Sequence, residues 1–288
     1  MDAKPMCPIS IVLVTYNRSA ALAETLDTLR AQSFRDFELI VCDDCSPDNT
    51  EEVVRRYERM DSRIVYRRNA TNLRMPGNMN EGIRQSRGEY VANLHDGDLY
   101  EPQLLEKWKS ALDRNPGAAF VFNEYAGLDR DGTVAHIFKE DLPDVFPGAL
   151  LLEGYFFRKW RFGSPIWGTV MARRKAYMEA GLFDSRFSFY ADVDMWMRLA
   201  ERYEVAYVKE PLIRIVDHAL LPRQFELPHE DRLLQQMFWE ARMRHYRSRP
   251  LRRLVEAGRH AGFVAANQAW LLMLRGNRLI RRGRRRRV

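Results

Sequence analysis

Short apolar runs recur along the first two thirds of the chain, and stretches of helical periodicity separate them. Residues 9–14 are apolar and largely β-branched, which suits a buried strand. In 20–32 the leucines at 22, 26 and 29 draw a helical stripe. A second strand is predicted over 37–42, then a helix over 50–60 with Asp48 and Glu51 as its capping pair. A third strand follows over 63–66, and a helix over 76–86 whose first turn tolerates Pro76. The strand 89–94, a helix over 101–114 and the strand 118–122 continue the series. Such alternation predicts an α/β fold, with an open, mostly parallel sheet flanked by helices and right-handed crossovers.

Past residue 129 the pattern blurs into turns and aromatic patches, with Asp131 and Gly132 marking a hairpin turn. It sharpens again as a strand over 167–172, a helix over 173–180 stopped by Gly181, a helix over 192–202 and a strand over 204–208. From 229 to about 282 the chain reads as helical. A boundary is expected near Leu220, giving a catalytic domain over 1–220 and a helical, basic C-terminal extension over 221–288.

Composition narrows the class. An apolar share of 46% and a charged share of 30% over 288 residues belong to an ordinary globular protein. No apolar run approaches the ~20 residues of a membrane span, and residues 1–5 lack the features of a secretory leader. Cys7, Cys42 and Cys45 are an odd set; Cys42 and Cys45 form a C-x-x-C with two acids inside and no second pair to complete a zinc site. A reduced, cytoplasmic protein is expected. The net charge of +7 is concentrated in 275–288. Leu254, Phe263, Trp270, Leu279 and Ile280 supply apolar area between arginines, so this extension suits the anionic inner face of the cell membrane as a peripheral segment. A helix packed on the catalytic domain with a basic end is the alternative. The tail has no interleaved stacking aromatics, and no nucleic-acid partner is expected.

In an open parallel sheet, ligands collect beyond the carboxyl ends of the strands. The segments placed there are Thr15-Tyr16-Asn17-Arg18, Asp43-Asp44-Cys45-Ser46, residues 69–80 and His95-Asp96-Gly97-Asp98, all polar. A strand ending in Asp96 and Asp98 concentrates negative charge that a divalent cation can neutralise. The plainer reading of Asp98 alone is a helix cap. Asp43, first after its strand, is placed to accept from a base or ribose, whereas Asp44 can tie down its own turn. Asp192 and Asp194 share a first helical turn, and Phe187, Phe189 and Tyr190 make their surroundings partly apolar, which favours a base. No glycine fingerprint follows the first strand and no phosphate-loop lysine motif occurs, which disfavours a nicotinamide dehydrogenase. A nucleotidyltransferase acting on a sugar phosphate uses related metal and nucleotide chemistry and stays open.

Taken in order and spacing, several segments resemble the family 2 glycosyltransferases, inverting enzymes with the GT-A fold. They are 10–18, 37–46, Asn80-Glu81-Gly82-Ile83, Gly88-Glu89-Tyr90, 95–102, 181–184 and 190–198, within a resemblance that spans about 8–220. The resemblance implies a nucleotide-sugar part over 8–125 and an acceptor and catalytic part over 126–220. Thr15, Tyr16 and Asp43 would hold the nucleoside, with Asn17, Asp44 and Asn80 lining the same site. Asp96 and Asp98, with His218, would hold Mg2+ or Mn2+ on the diphosphate; Asp192 would be the general base. Trp167, whose ring face suits a sugar, and Asp194 are candidate acceptor contacts. The donor implied is a nucleoside-diphosphate sugar, a UDP-sugar favoured, and the acceptor a sugar or lipid-linked glycan of cell-envelope or surface polysaccharide synthesis. Departures from the family pattern are Gly97 for an aspartate, Met79 for an arginine, Arg74 for a glycine and Ala191 for a glutamate. No Gln-x-x-Arg-Trp follows, so a non-processive enzyme is expected.

Overall fold

The computed structural model describes residues 7–129, 131–157, 164–166, 168–216 and 230–248, together with Gly258. In chain order the elements are β1 (Ile9–Thr15), α1 (Ser19–Arg30), β2 (Phe37–Asp43), α2 (Thr50–Met60), β3 (Ile64–Arg68), α3 (Arg74–Gln85), β4 (Tyr90–His95), β5 (Leu99–Tyr100) and α4 (Leu104–Arg114). They continue as β6 (Ala118–Leu128), β7 (Val134–Phe138), β8 (Val145–Pro147), α5 (Gly148–Phe156), β9 (Val170–Arg173) and α6 (Arg174–Ala180). A 3-10 segment (Ser185–Tyr190), α7 (Ala191–Ala200), β10 (Glu204–Val216) and α8 (Glu230–His245) complete the described chain.

The strands form one sheet in the order β3-β2-β1-β4-β9-β6-β10-β5, with β7 added to β6 and β8 to β10. All seven residues of β1, and all seven of β2, are buried, as continuous apolar runs demand when helices cover both faces. β1 runs parallel to β2 and β4, pairing Thr15 with Asp43 and Val14 with His95. Three strand ends therefore reach one line, and the loops beyond them share one crevice. The predicted leucine stripe of α1 is buried at Leu22, Leu26 and Leu29. Buried Trp196 of α7 packs against Phe120, Tyr177 and Phe183.

Several elements differ from expectation. The strand predicted over 167–172 is Val170–Arg173, and it runs antiparallel between β4 and β6. The blurred stretch contains β7, β8 and α5. α5 buries Leu151, Leu152, Tyr155 and Phe156, so its sequence lacks the polar face that marks a surface helix. β10 runs on to Val216, past irregular pairing at Pro211, which has no N–H for the ladder. Asn49 is the N-cap of α2 and makes no side-chain capping bond; Asp48, one residue earlier, accepts the Thr50 N–H at 3.2 Å on its Oδ1, while Glu51 pairs with Arg55. Gly181 ends α6 in the left-handed region.

The chain divides into two compact units, Met1–Leu234 and Gln235–Val288. The boundary expected near Leu220 lies in 217–229, outside the described residues, as do the apolar and basic positions singled out in 251–288. Among the described residues no helix is long and apolar enough to cross a membrane.

Candidate active site

Buried hydroxyls shape the acid turn that follows β4. The Tyr100 hydroxyl accepts the His95 N–H at 3.0 Å and donates to the His95 carbonyl at 2.9 Å. Thr25 of α1 donates to the Asp98 carbonyl at 2.8 Å and accepts the Gly97 N–H at 2.9 Å. Gly97 takes a φ of +87°, a conformation that side chains disfavour. The turn directs the Asp96 carboxylate toward β1, where Thr15 Oγ1 donates to its Oδ2 at 2.7 Å and Arg18 Nη1 to its Oδ1 at 3.1 Å.

Burial raises the Asp96 carboxyl, against the opposing pull of Arg18 and Thr15. It raises Asp98 much further, with the charge of Asp96 as the second cause. Asp98 Oδ2 is buried with no hydrogen-bond partner. An orphaned carboxylate oxygen beside a second carboxylate fits a hard divalent cation. Among the described residues no group of three or more His, Cys, Asp or Glu forms around them, and His218 lies outside those residues.

On the nucleoside side, Tyr16 is exposed, and Asn17, at φ +54°, lies exposed beside it with its N–H on Ser46 Oγ. Asp43 is 0% exposed. Its Oδ1 accepts the Ser46 N–H at 2.9 Å, and its Oδ2 accepts from the Tyr66 hydroxyl and from Arg68 Nη1. Of these partners Arg68 is the one that solvent reaches, with 36% of its side chain exposed.

Two of the predicted nucleotide residues make structural bonds. Asp44 is buried, and its Oδ1 accepts from Asn69 Nδ2 at 2.9 Å and the Leu73 N–H at 2.8 Å, which ties down the 69–73 loop. Asn80 gives its amide to Phe183, donating to the carbonyl and accepting the N–H at 2.9 Å each. It joins α3 to the turn after α6. The C-x-x-C is also inert: Cys42 is buried, with its thiol pushed up to about 12 by burial, and all three cysteines are free.

Asp192 opens α7. Its Oδ1 accepts the Val193 N–H at 2.7 Å, and burial pushes its carboxyl up to about 6. The other oxygen faces the glycine that precedes β9. A Cβ placed on Gly168 would lie 3.1 Å from Asp192 Oδ2 and 3.2 Å from His95 Cε1. The carboxylate and the imidazole thus flank one small space. A buried network holds that space open: Tyr177 donates to Asn93 Oδ1, and Asn93 Nδ2 donates to the Gly168 carbonyl at 2.7 Å. Tyr155, buried nearby with its hydroxyl on Ser164, feels the charge of Asp192.

Asp194 is buried and paired with Arg198 at 2.7 Å, and Arg198 in turn donates to the Ala180 and Leu182 carbonyls. Its place is the packing of α7 on the end of α6. Trp167 lies outside the described residues. Phe189 is 60% exposed two residues after Phe187 of the buried core. Sequence reasoning had assigned no role to Arg18, His95, Arg68 or Gly168. The signal available for His95 was its place at the head of the acid run; Gly168 had none beyond being a glycine before a strand.

The model of the Glycosyl transferase family 2 matches residues 10–181. An uncharacterized glycosyltransferase of Methanocaldococcus jannaschii is 26% identical over 237 residues, 81% of this chain and 75% of that protein. The GalNAc(5)-diNAcBac-PP-undecaprenol beta-1,3-glucosyltransferase of Campylobacter jejuni is 35% identical over 136 residues, 46% of this chain and 42% of that protein. Among solved structures, Staphylococcus aureus TarS in complex with UDP superposes with a TM-score of 0.60 at 21% identity, covering 83% of this chain and 71% of that one. The mannosyltransferase PcManGT of Pyrobaculum calidifontis, in complex with GDP-Man and Mn2+, gives 0.54 at 15% identity over 92% of this chain and 81% of its own. At these identities the structures establish a shared GT-A fold, and the family match adds the activity class: the chain is a glycosyltransferase and belongs to glycosyl transferase family 2.

Proposed function

We propose that the protein moves a sugar from a nucleoside-diphosphate sugar to an acceptor hydroxyl with inversion at the anomeric carbon, and that Asp192 is the base. The observation that carries this is the meeting of Asp192 Oδ2 and His95 over Gly168, which sets a desolvated carboxylate beside the acid turn. A carboxyl pushed up to about 6 is ionised at neutral pH yet more basic than an ordinary aspartate. It takes the proton of the acceptor hydroxyl as that oxygen attacks the anomeric carbon. The bond from that carbon to the diphosphate oxygen breaks on the opposite side, so the configuration inverts.

Tyr16 and Asn17 line the nucleoside side of the crevice, and Asp43 receives the base once Arg68 has moved. Held by Asp96 and Asp98, Mg2+ or Mn2+ would supply neutralising charge to the departing diphosphate. One base suffices, because that leaving group needs no protonation, unlike the sugar oxygen released by a glycosidase. TarS is seen in complex with UDP and PcManGT with GDP-Man, which supports a nucleotide-sugar donor, a UDP-sugar favoured. The name of the Campylobacter relative places its substrate on PP-undecaprenol, which supports a lipid-linked acceptor in envelope or surface polysaccharide synthesis at the inner face of the membrane. Without a Gln-x-x-Arg-Trp motif, transfer is non-processive.

The test is Asp192→Asn assayed against a panel of nucleotide sugars, with the product's anomeric configuration read by NMR. Expected is a loss of about 100-fold or more in transfer, with nucleotide binding retained and an inverted product from the wild type. Transfer by the variant at the wild-type rate, or a retained configuration, overturns the assignment.

A further inference from the structure

Met79, where the family resemblance has an arginine, is buried in α3 and brings no charge to the loop 69–80. A cation does stand in the crevice, and it comes from a different strand. Arg18 follows β1, the strand whose end lies between those of β2 and β4. Its Nη1 reaches across to the acid turn, 3.1 Å from both Asp96 Oδ1 and the Asp96 carbonyl. The guanidinium lies against residue 97, and the absence of a side chain there makes room for it. A Cβ on Gly97 would sit 2.5 Å from Nη2 and 3.1 Å from Cζ. The glycine that replaces a family aspartate and the arginine that fills its place are therefore two halves of one arrangement.

An ion pair made only for stability would bury its cation or leave it on an outer face. Arg18 does neither: 41% of its side chain is exposed while its partner carboxylate is 9% exposed, inside the crevice that holds Asp96 and Asp98. Pairs this open contribute little to stability. The planar fork is well shaped to grip phosphate oxygens, and it stands where a diphosphate lying between the nucleoside side and Asp192 would pass.

We propose that Arg18 is a diphosphate-binding residue, a resident cation that holds the donor's nucleoside diphosphate in the absence of a divalent ion. This rests on the crevice being the nucleotide site proposed above. It adds that part of the charge a metal supplies elsewhere is built into the chain. On donor binding, a phosphate oxygen replaces or joins Asp96 as the acceptor of the Arg18 N–H groups.

The test is calorimetric binding of UDP and GDP to the full chain in EDTA, with uridine and guanosine as phosphate-free controls. The proteins are the wild type, Arg18→Ala and Arg18→Lys, with thermal melts to confirm the fold of each. Expected is measurable binding of one nucleoside diphosphate to the wild type in EDTA and a loss of about tenfold or more in Arg18→Ala, as for a charged hydrogen bond. Arg18→Lys should fall between the two, and binding of the matching nucleoside should be unchanged in all three. Equal affinity of wild type and Arg18→Ala overturns the proposal. So does a wild type that binds a nucleoside diphosphate only when Mn2+ is added, which leaves the crevice reading standing. A wild type that binds neither nucleotide even with Mn2+ overturns both.

Discussion

Asp192 is costly to the fold that carries it, and the cost can be measured. Burial pushes its carboxyl from 3.8 up to about 6, roughly two pH units. At about 1.4 kcal/mol per unit, ionising it in the folded state costs at most about 3 kcal/mol. Water reaching the half-buried residue lowers that toward about 1–2 kcal/mol. The sign follows from proton binding. Between pH 4 and 6 the folded chain holds this proton and the unfolded chain has released it, so folding stability falls as pH rises through that window. Below pH 4 both states are protonated and the penalty vanishes. Asp192→Asn keeps an oxygen for the Val193 N–H and cannot ionise. Urea unfolding at pH 4 and pH 7.5 should find the two proteins alike at the lower pH and the variant about 1–2 kcal/mol more stable at the higher. The same carboxyl must be ionised to act, so wild-type transfer should rise with pH through about 6. A variant that is less stable at pH 7.5 by a margin that does not change with pH would refute the desolvated carboxylate, and with it the reason for choosing this base.

Asp43→Asn leaves Arg68 beside a neutral amide and disturbs the Tyr66 hydrogen bond; nucleotide affinity should fall about tenfold and stability by about 1–3 kcal/mol, read by calorimetry and urea melts. Gly168→Ala puts a methyl 3.1 Å from Asp192 Oδ2 at a φ of +86°, so kcat should drop while donor affinity holds; an unchanged kcat would show that the space over Gly168 plays no part. Flotation with anionic liposomes should recover the full chain and lose the form lacking residues 275–288, and equal recovery would remove the membrane from the picture.

How much of this was legible depended on local signals. The strands at 9–15 and 37–43 announced themselves, because burial on both faces leaves mostly apolar residues, broken only by Ser10 and Glu38 before the polar ends Thr15 and Asp43. Their polar ends then placed the crevice without any knowledge of the helices. β9 was legible as a strand but not as an antiparallel one, since four residues carry no mark of direction. α5 was invisible, being apolar on every side. At the site, residue type suggested chemistry but could not separate reactive side chains from those holding the frame. Asp44 and Asn80 read as nucleotide contacts, and nothing in their type told that Asp44 also holds the Leu73 N–H and Asn80 the Phe183 backbone. The pairing of Gly97 with Arg18 joins positions 79 apart in sequence, and nothing along the chain links them.

The reversed strand has a bearing on biosynthesis. Val170–Arg173 fits between β4 and β6, which were made some fifty to eighty residues earlier, and it pairs with Asn93 and Phe120 as well as with their neighbours. A nascent chain that has extruded β1 to β6 therefore carries two open ladder edges facing a gap, an invitation to mispairing that holdase chaperones exist to cover. Closure waits for the segment that also brings Gly168 and, soon after, Asp192.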